Sequence, residues 1–328
     1  MAMMPRFAVI LGNFGNRSDR FLTSGYGEDR TLTQLFDAAA SVEDLAGVEL
    51  VGHWHVRPDN VEPVRDELAR TGLAAVSIIP DHFSRQVWGK GAFCSNDAAV
   101  RRQAVQETME IMDVAAAIGC GVVSLWPGQD GYDYPFQADY LQARDWLVEG
   151  VRACADHRTD VRLSLEYKVR EPRNHSYIST VGTTLMLVQE IDRPTVGVTI
   201  DVGHALAAGE NMAESVALLS RYGDKLFHLH FNDNYRSWDD DMIVGSVHTV
   251  EFLELLYWLD RVGYDGWYSM DQYPYREEPV AAIRESIQWL KGMHRVLERI
   301  GYERIAETIR TGDATQASAM VREALAPA

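Results

Sequence analysis

The sequence predicts an α/β protein, a (β/α)8 TIM barrel with a short C-terminal helical extension. Three observations lead there. Short runs rich in Val, Ile, Leu and aromatic residues recur eight times, each is followed by a longer segment with apolar residues at helical spacing, and no Pro-, Gly- or Ser-rich linker interrupts the series. Alternation of this kind implies parallel strands covered by helices, and closure into a barrel is the usual arrangement for eight units. A doubly wound open sheet is the competing arrangement. The 328 residues, 46% of them hydrophobic, suffice to bury a core of that size.

The strand-like runs are Phe7–Leu11, Val48–Gly52, Ala75–Ile79, Val122–Trp126, Arg162–Tyr167, Val196–Asp201, Leu226–Phe231 and Trp267–Asp271. The helical patterns that follow them are Thr31–Leu45, Asp59–Arg70, Asp97–Ile118, Ala138–His157, Ser179–Ile191, Met212–Arg221, Thr249–Val262 and Pro279–Arg299. Ser95-Asn96-Asp97 offers N-caps for the third helix, while Gly119 and Gly263 close the third and seventh. Residues 1–300 are thereby assigned to a catalytic barrel and 301–328 to an amphipathic helical tail.

Composition narrows the partners. Lys plus Arg number 31 against 48 Asp plus Glu, and a net charge of −17 opposes docking on nucleic-acid phosphates or an anionic membrane. No apolar run approaches the roughly 20 residues of a membrane span, and the N-terminal run is too short for a secretion signal, so a cytoplasmic protein is expected. Cys94, Cys120 and Cys154 are far apart and read as buried small hydrophobes.

In such a barrel, chemistry is built where strands end and βα loops begin. Those positions carry His53-Trp54-His55, Asp81-His82, Trp126, Glu166-Tyr167-Lys168, Asp201-Val202-Gly203-His204, His228-Leu229-His230 and Asp271, with Asp239-Asp240-Asp241 in the seventh loop. Alone, an Asp at a strand end is commonly a helix cap, an Asp run a solvated loop, and His228 a group satisfying the barrel interior. Convergence argues otherwise. Residues two apart on a strand point the same way, so Glu166 with Lys168, and His228 with His230, aim into one mouth. Crowded buried carboxylates need protons, cations or metal to coexist. Glu166, Asp201, His230 and Asp271 compose one oxygen-rich donor set; Asp201, His204, Asp239 and Asp241 compose a second. Such sets suit Mn²⁺ or Mg²⁺, with Co²⁺ as a third candidate.

At these residues the sequence resembles xylose isomerase and its relatives among the sugar isomerase and epimerase barrels. The resemblance rests on Gly91-Ala92-Phe93, Ser95-Asn96-Asp97, Val100-Arg101-Arg102, Met112-Asp113, Trp126-x-Gly128-x-Asp130-Gly131, Glu166-x-Lys168 with Glu171-Pro172-Arg173, Val202-Gly203-His204, Lys225-Leu226-Phe227-His228, Asp239-x-Asp241 and Asp271. It implies two divalent metal ions shared through Asp201, with Lys168, His53 and Asp241 as catalytic groups. Trp126, Phe93, His82, His204 and Lys168 would contact a monosaccharide, His53 assisting ring opening. Asp201 and His230 stand where xylose isomerase has Glu and Asp, and here the chain resembles rhamnose isomerase and tagatose 3-epimerase. The activity implied is aldose–ketose isomerisation of an unphosphorylated pentose or deoxyhexose by a homodimer or homotetramer. The alternative is a ketose 3-epimerase or an inosose-dehydratase-like enzyme using Glu166 and Asp271 as acid and base.

Overall fold

A computed structural model describes residues 5–171 and 173–326; Pro172 of the Glu171-Pro172-Arg173 motif and the ends of the assigned barrel and tail lie outside the described residues. The strands are β1 (Arg6–Ile10), β2 (Leu45–Val51), β3 (Ala74–Ile79), β4 (Val122–Leu125), β5 (Gly131–Tyr132), β6 (Arg162–Glu166), β7 (His175–Ser176), β8 (Val196–Asp201), β9 (Leu226–Phe231) and β10 (Trp267–Met270). Eight of them close in the order β1-β10-β9-β8-β6-β4-β3-β2, while β5 and β7 pair separately as a small antiparallel ribbon. The predicted closed barrel is therefore the observed fold. Outside it run the helices α1 (Leu32–Ala40), α2 (Val61–Thr71), α3 (Ala98–Ala117), α4 (Tyr140–His157), α5 (Val181–Ile191), α6 (Val202–Ala207), α7 (Met212–Arg221), α8 (Thr249–Val262) and α9 (Pro279–Ile300). Among the described residues, no helix is long and apolar enough to cross a membrane. All three cysteines are free and buried.

The first helix is shorter than its sequence pattern. Thr31 and Gln34 make a reciprocal capping box at its start, but the helix stops at Ala40, and the left-handed φ of 67° at Asp44 turns the chain into a strand beginning at Leu45. Apolar Leu45 thus serves a strand. The helix α6 was not expected: the Asp201 carboxylate accepts the His204 N–H at 2.8 Å and starts a helix directly off the end of β8. Beyond Gly301 the tail forms α10 (Tyr302–Thr311) and α11 (Ala314–Leu325), whose Ile305, Met320 and Ala324 are buried with the outer core. Gly312, at φ 65°, makes the reversal between them.

Strand alternation separates two interiors. Leu50, Ile78, Val123, Leu165, Val198 and Leu229 join the core between sheet and helices. Alternating with them, Glu49, Ser77, Ser124, Ser164, Thr199, His228 and Ser269 are buried as a polar filling. Ser124, Thr199 and Ser164 are linked hydroxyl to hydroxyl at 3.0 and 2.6 Å.

The loops after β3 and β4 are fastened to each other by one carboxylate. Asp130 accepts backbone N–H groups from Ala92, Phe93 and Cys94 at 2.7, 2.9 and 2.8 Å. Gly91, at φ 94°, permits the approach, since a Cβ there would lie 2.9 Å from the Asp130 carboxylate. Burial pushes the Asp130 pKa up to about 6 against these three bonds. Removing the carboxylate would strand three buried donors, each costing roughly 1–3 kcal/mol. Asp130→Ala is therefore expected to lose about 3 kcal/mol or more in urea unfolding, while Asp130→Asn, which keeps one acceptor, loses less.

Candidate metal and active site

The C-terminal ends of the strands surround a cavity of about 730 Å³. Trp126, Glu166, Lys168, His204, Asp239, Asp241 and Asp271 all line it, brought from five separate strands and their loops. In-register pairing sets Asp201 of β8 directly beside His230 of β9, and both are fully buried.

Two donor sets converge. Ligand atoms of Glu166, Asp201, His230 and Asp271 lie within 4.8 Å of one another, as do those of Asp201, His204 and Asp239. The Nδ1 of His230 lies 3.4 Å from Glu166 Oε2, 3.3 Å from Asp271 Oδ2 and 3.9 Å from Asp201 Oδ2. The Nε2 of His204 lies 3.1 Å from Asp239 Oδ2. Asp201 spans both sets, with Oδ1 accepting the His204 N–H and Oδ2 accepting the Asn232 amide at 2.9 Å. Gly203 makes room for that amide, because a Cβ there would fall 2.1 Å from Asn232 Oδ1. Asp241 lines the same cavity without joining either convergence; it takes a left-handed φ of 48° and is repelled by Asp239 and Asp271.

The electrostatics describe a site short of positive charge. Burial, reinforced by Asp239, Asp271 and Glu166, pushes Asp201 up to about 7 despite His204. Burial also raises Asp241, well above the carboxylate range, and Asp271. Burial disfavours the charge on His204, yet Asp201 and Asp239 raise it to about 9. Lys168 donates to Asp239 at 2.7 Å and is also paired with Glu171; these neighbours outweigh its burial and hold its pKa well above the usual range. Two buried polar atoms in the cluster, His230 Nδ1 and Asp239 Oδ1, have no hydrogen-bond partner. Orphaned donor atoms beside crowded buried carboxylates fit a divalent cation.

One residue essential to this arrangement escaped the sequence reading. Glu49 on β2 is buried beneath the cluster and accepts from His228 Nε2 at 2.8 Å and His230 Nε2 at 3.2 Å, and from the hydroxyls of Ser77 and Ser269. It occupies the ε nitrogen of His230 and leaves the δ nitrogen facing Glu166 and Asp271. A charged residue inside the apolar run Val48–Val51 was its signal.

Three expected residues stand elsewhere. His53 does not line the cavity; its φ of 64° turns it outward, where Nε2 lies 3.4 Å from Glu107. His55 lines the cavity instead, with Nδ1 accepting the Val51 N–H at 2.9 Å. His82 and Phe93 are also absent from the lining: His82 is fully buried, edge-on to Trp88 and Phe93, and Phe93 packs where a Cβ on Gly150 of α4 would meet it at 2.7 Å. The chain turns after β3, with the His82 N–H donating to the Pro80 carbonyl at 3.0 Å, and Phe83 lines the cavity wall instead, 4.8 Å from the ring of Trp126.

Comparison with known proteins gives the family and the fold. The model of the xylose isomerase-like TIM barrel matches residues 36–293. The xylose isomerase of Thermus thermophilus is 32% identical over 228 residues, which cover 68% of this chain but only 59% of that protein. Among solved structures, a D-tagatose 3-epimerase-like protein superposes with a TM-score of 0.68 at 20% identity, covering 90% of this chain and 98% of its own. The D-allulose 3-epimerase of Methylomonas sp., in complex with D-allulose, gives 0.68 at 17% identity, covering 89% and 99%. At such identities these two likenesses bear on the fold.

Burial lowers the pKa of both His55 and His82 from 6.5 to about 4. Between those values the unfolded chain binds protons that the folded chain does not, so both rings contribute stability above pH 6.5 and lose it as pH falls toward 4. For each ring the loss between pH 7.5 and 5 is on the order of 2 kcal/mol. Urea unfolding of His82→Phe at the two pH values should show a smaller pH-dependent loss than the parent; an equal loss would mean that His82 is not held neutral.

Proposed function

We infer the function of this chain from its membership and its cavity: it belongs to the xylose isomerase-like TIM-barrel family, and the reading its site supports best is a metal-dependent aldose–ketose isomerase acting on a monosaccharide. One observation carries this. Buried Lys168, paired with Asp239, faces the same cavity as two carboxylate–imidazole sets that share Asp201.

Glu166, Asp201, His230 and Asp271 would hold one cation, and Asp201, His204 and Asp239, joined by Asp241, a second. Oxygen-rich sets with an imidazole suit Mn²⁺ or Mg²⁺, with Co²⁺ close behind. Cations there supply positive charge to the oxygens of the bound sugar. In the isomerisation the hydroxyl on carbon two loses its proton, hydrogen moves with its electron pair from carbon two to carbon one, and the former carbonyl oxygen gains a proton. Lys168, fixed by Asp239 and Glu171, donates to that oxygen as negative charge grows on it. Asp241, which lines the cavity, would hold the proton leaving the hydroxyl. Trp126 and Phe83 close an apolar side over the reacting carbons and keep water away. His55 takes over the ring-opening role first assigned to His53: its Nδ1 accepts from the backbone, so the neutral ring carries its proton on Nε2 and can donate to the ring oxygen.

A ketose 3-epimerase is the second reading, favoured by Glu166 and Asp271, which approach the same His230 nitrogen from two sides of the cavity. A panel of aldoses and ketoses assayed with Mn²⁺, Mg²⁺, Co²⁺ and chelator separates the two. Under the isomerase reading, chelator abolishes interconversion, product formed in deuterated water carries no carbon-bound solvent deuterium, and Lys168→Met lowers kcat at least 100-fold. Epimerisation at carbon three that survives Lys168→Met but not Glu166→Gln would move the assignment to the epimerase.

A further inference from the structure

The segment between β1 and α1 forms one wall of the cavity and contributes two arginines, Arg17 and Arg30. Most arginines of this protein that approach the interior are paired with carboxylates, as Arg85 is with Glu107. These two are not: among the described residues, no carboxylate oxygen lies within the 4.0 Å of an ion pair from either guanidinium. Arg17 is only 8% exposed, and its Nε is buried without a hydrogen-bond partner. Its Nη1 donates to the carbonyls of Gly15 at 2.8 Å and Asn13 at 3.4 Å, which orients the guanidinium without giving it an ion pair.

The seat is built around this side chain. Arg17 itself takes a left-handed φ of 57°, and Gly27 packs so closely that a Cβ would lie 2.6 Å from Nη2. Tyr273 holds the segment from the opposite side, donating to the Ser18 carbonyl at 2.6 Å. Burial first, and then the neighbouring charge of Arg30, lower the Arg17 pKa, although Tyr273, Glu278 and Glu277 favour its charge from beyond ion-pair distance. Position completes the argument. In the eight-strand ring β1 is four strands from β6, so Arg17 stands across the mouth from Lys168 and Glu166. A sugar whose reacting carbons lie at Lys168 extends its far end toward Arg17.

We propose that Arg17, with Arg30 at the rim, is a specificity site for an anionic group, carboxylate or phosphate, at the end of the substrate away from the reacting carbons. The substrate class is then an acidic monosaccharide, in place of the unphosphorylated pentose or deoxyhexose that the resemblance implies. This rests on the isomerase or epimerase reading for which end of the sugar reacts. A guanidinium supplies the planar pair of donors that a carboxylate or phosphate accepts in parallel. The excess of acidic residues elsewhere does not oppose this, because charges beyond a Debye length are screened while a buried cation acts on its own cavity.

The test is binding and turnover with matched probes: D-glucuronate, D-glucose 6-phosphate and D-glucose. Calorimetry on the full chain, with and without Mn²⁺, is expected to show one or both acidic probes binding at least tenfold more tightly than glucose, and which of them does so tells carboxylate from phosphate. Arg17→Gln should bring the ratio of acidic-probe to glucose affinity down to about one. Arg30→Gln, at an exposed rim position, should weaken acidic probes about threefold and serves if the Arg17 variant does not fold. An Arg17-dependent preference in binding, with no turnover of any sugar, supports the anion site and counts against the isomerase. Equal binding of glucose and both acidic probes, unaltered in either variant, overturns the proposal and leaves the isomerase standing.

Discussion

Glu49 is fully buried inside the barrel, and the way its charge is neutralised governs the site above it. Burial opposes ionisation, but the imidazoles of His228 and His230 and their hydrogen bonds hold its pKa well below the carboxylate range. Because His230 is committed to Glu49 through Nε2, its Nδ1 is the nitrogen that reaches Glu166 and Asp271. The hydroxyls of Ser77 and Ser269 donate to the same carboxylate, so its lone pairs are not left to two rings alone. A metal-type donor set therefore has a polar foundation, and the polar foundation explains why this barrel is not filled by branched apolar residues as such barrels commonly are.

Above that foundation, the balance of charge depends on Asp201. It lies between Glu166 and Asp271 on one side and His204 and Asp239 on the other, with both oxygens already accepting hydrogen bonds. Lys168 and His204 pair with Asp239 and form no ion pair with Asp271 among the described residues. The outcome is uneven: Asp239 is held well below the carboxylate range, while burial and neighbouring carboxylates raise Asp201, Asp241 and Asp271.

The cavity has walls of different character. Trp126, Phe83 and the apolar patch of Ile10, Val51 and Ile79 make a dry side, carboxylates occupy the ends of β6, β8 and β10, and arginine comes from the loop after β1. Opposed charges across one mouth orient a ligand as well as bind it, which is a stronger basis for specificity than the size of the pocket.

The residues aligned with secondary structure were legible in sequence. Eight alternations, strand ends and the convergence of Glu166, Asp201, His204, His230, Asp239 and Asp271 all follow from local periodicity, because a barrel directs every strand end to one place. What the sequence could not decide are matters of rotation and long-range pairing. A left-handed residue at position 53 exchanged His53 for His55, the turn beyond β3 exchanged His82 for Phe83, and Glu49 acquired its meaning only from His228 and His230, 179 and 181 residues away. The same holds for Arg17, whose lack of a partner is a fact about three-dimensional surroundings. Local pattern determined which strand each group leaves; only the closed barrel decided which groups face one another, because burial and pairing are properties of neighbours that the chain brings together on folding.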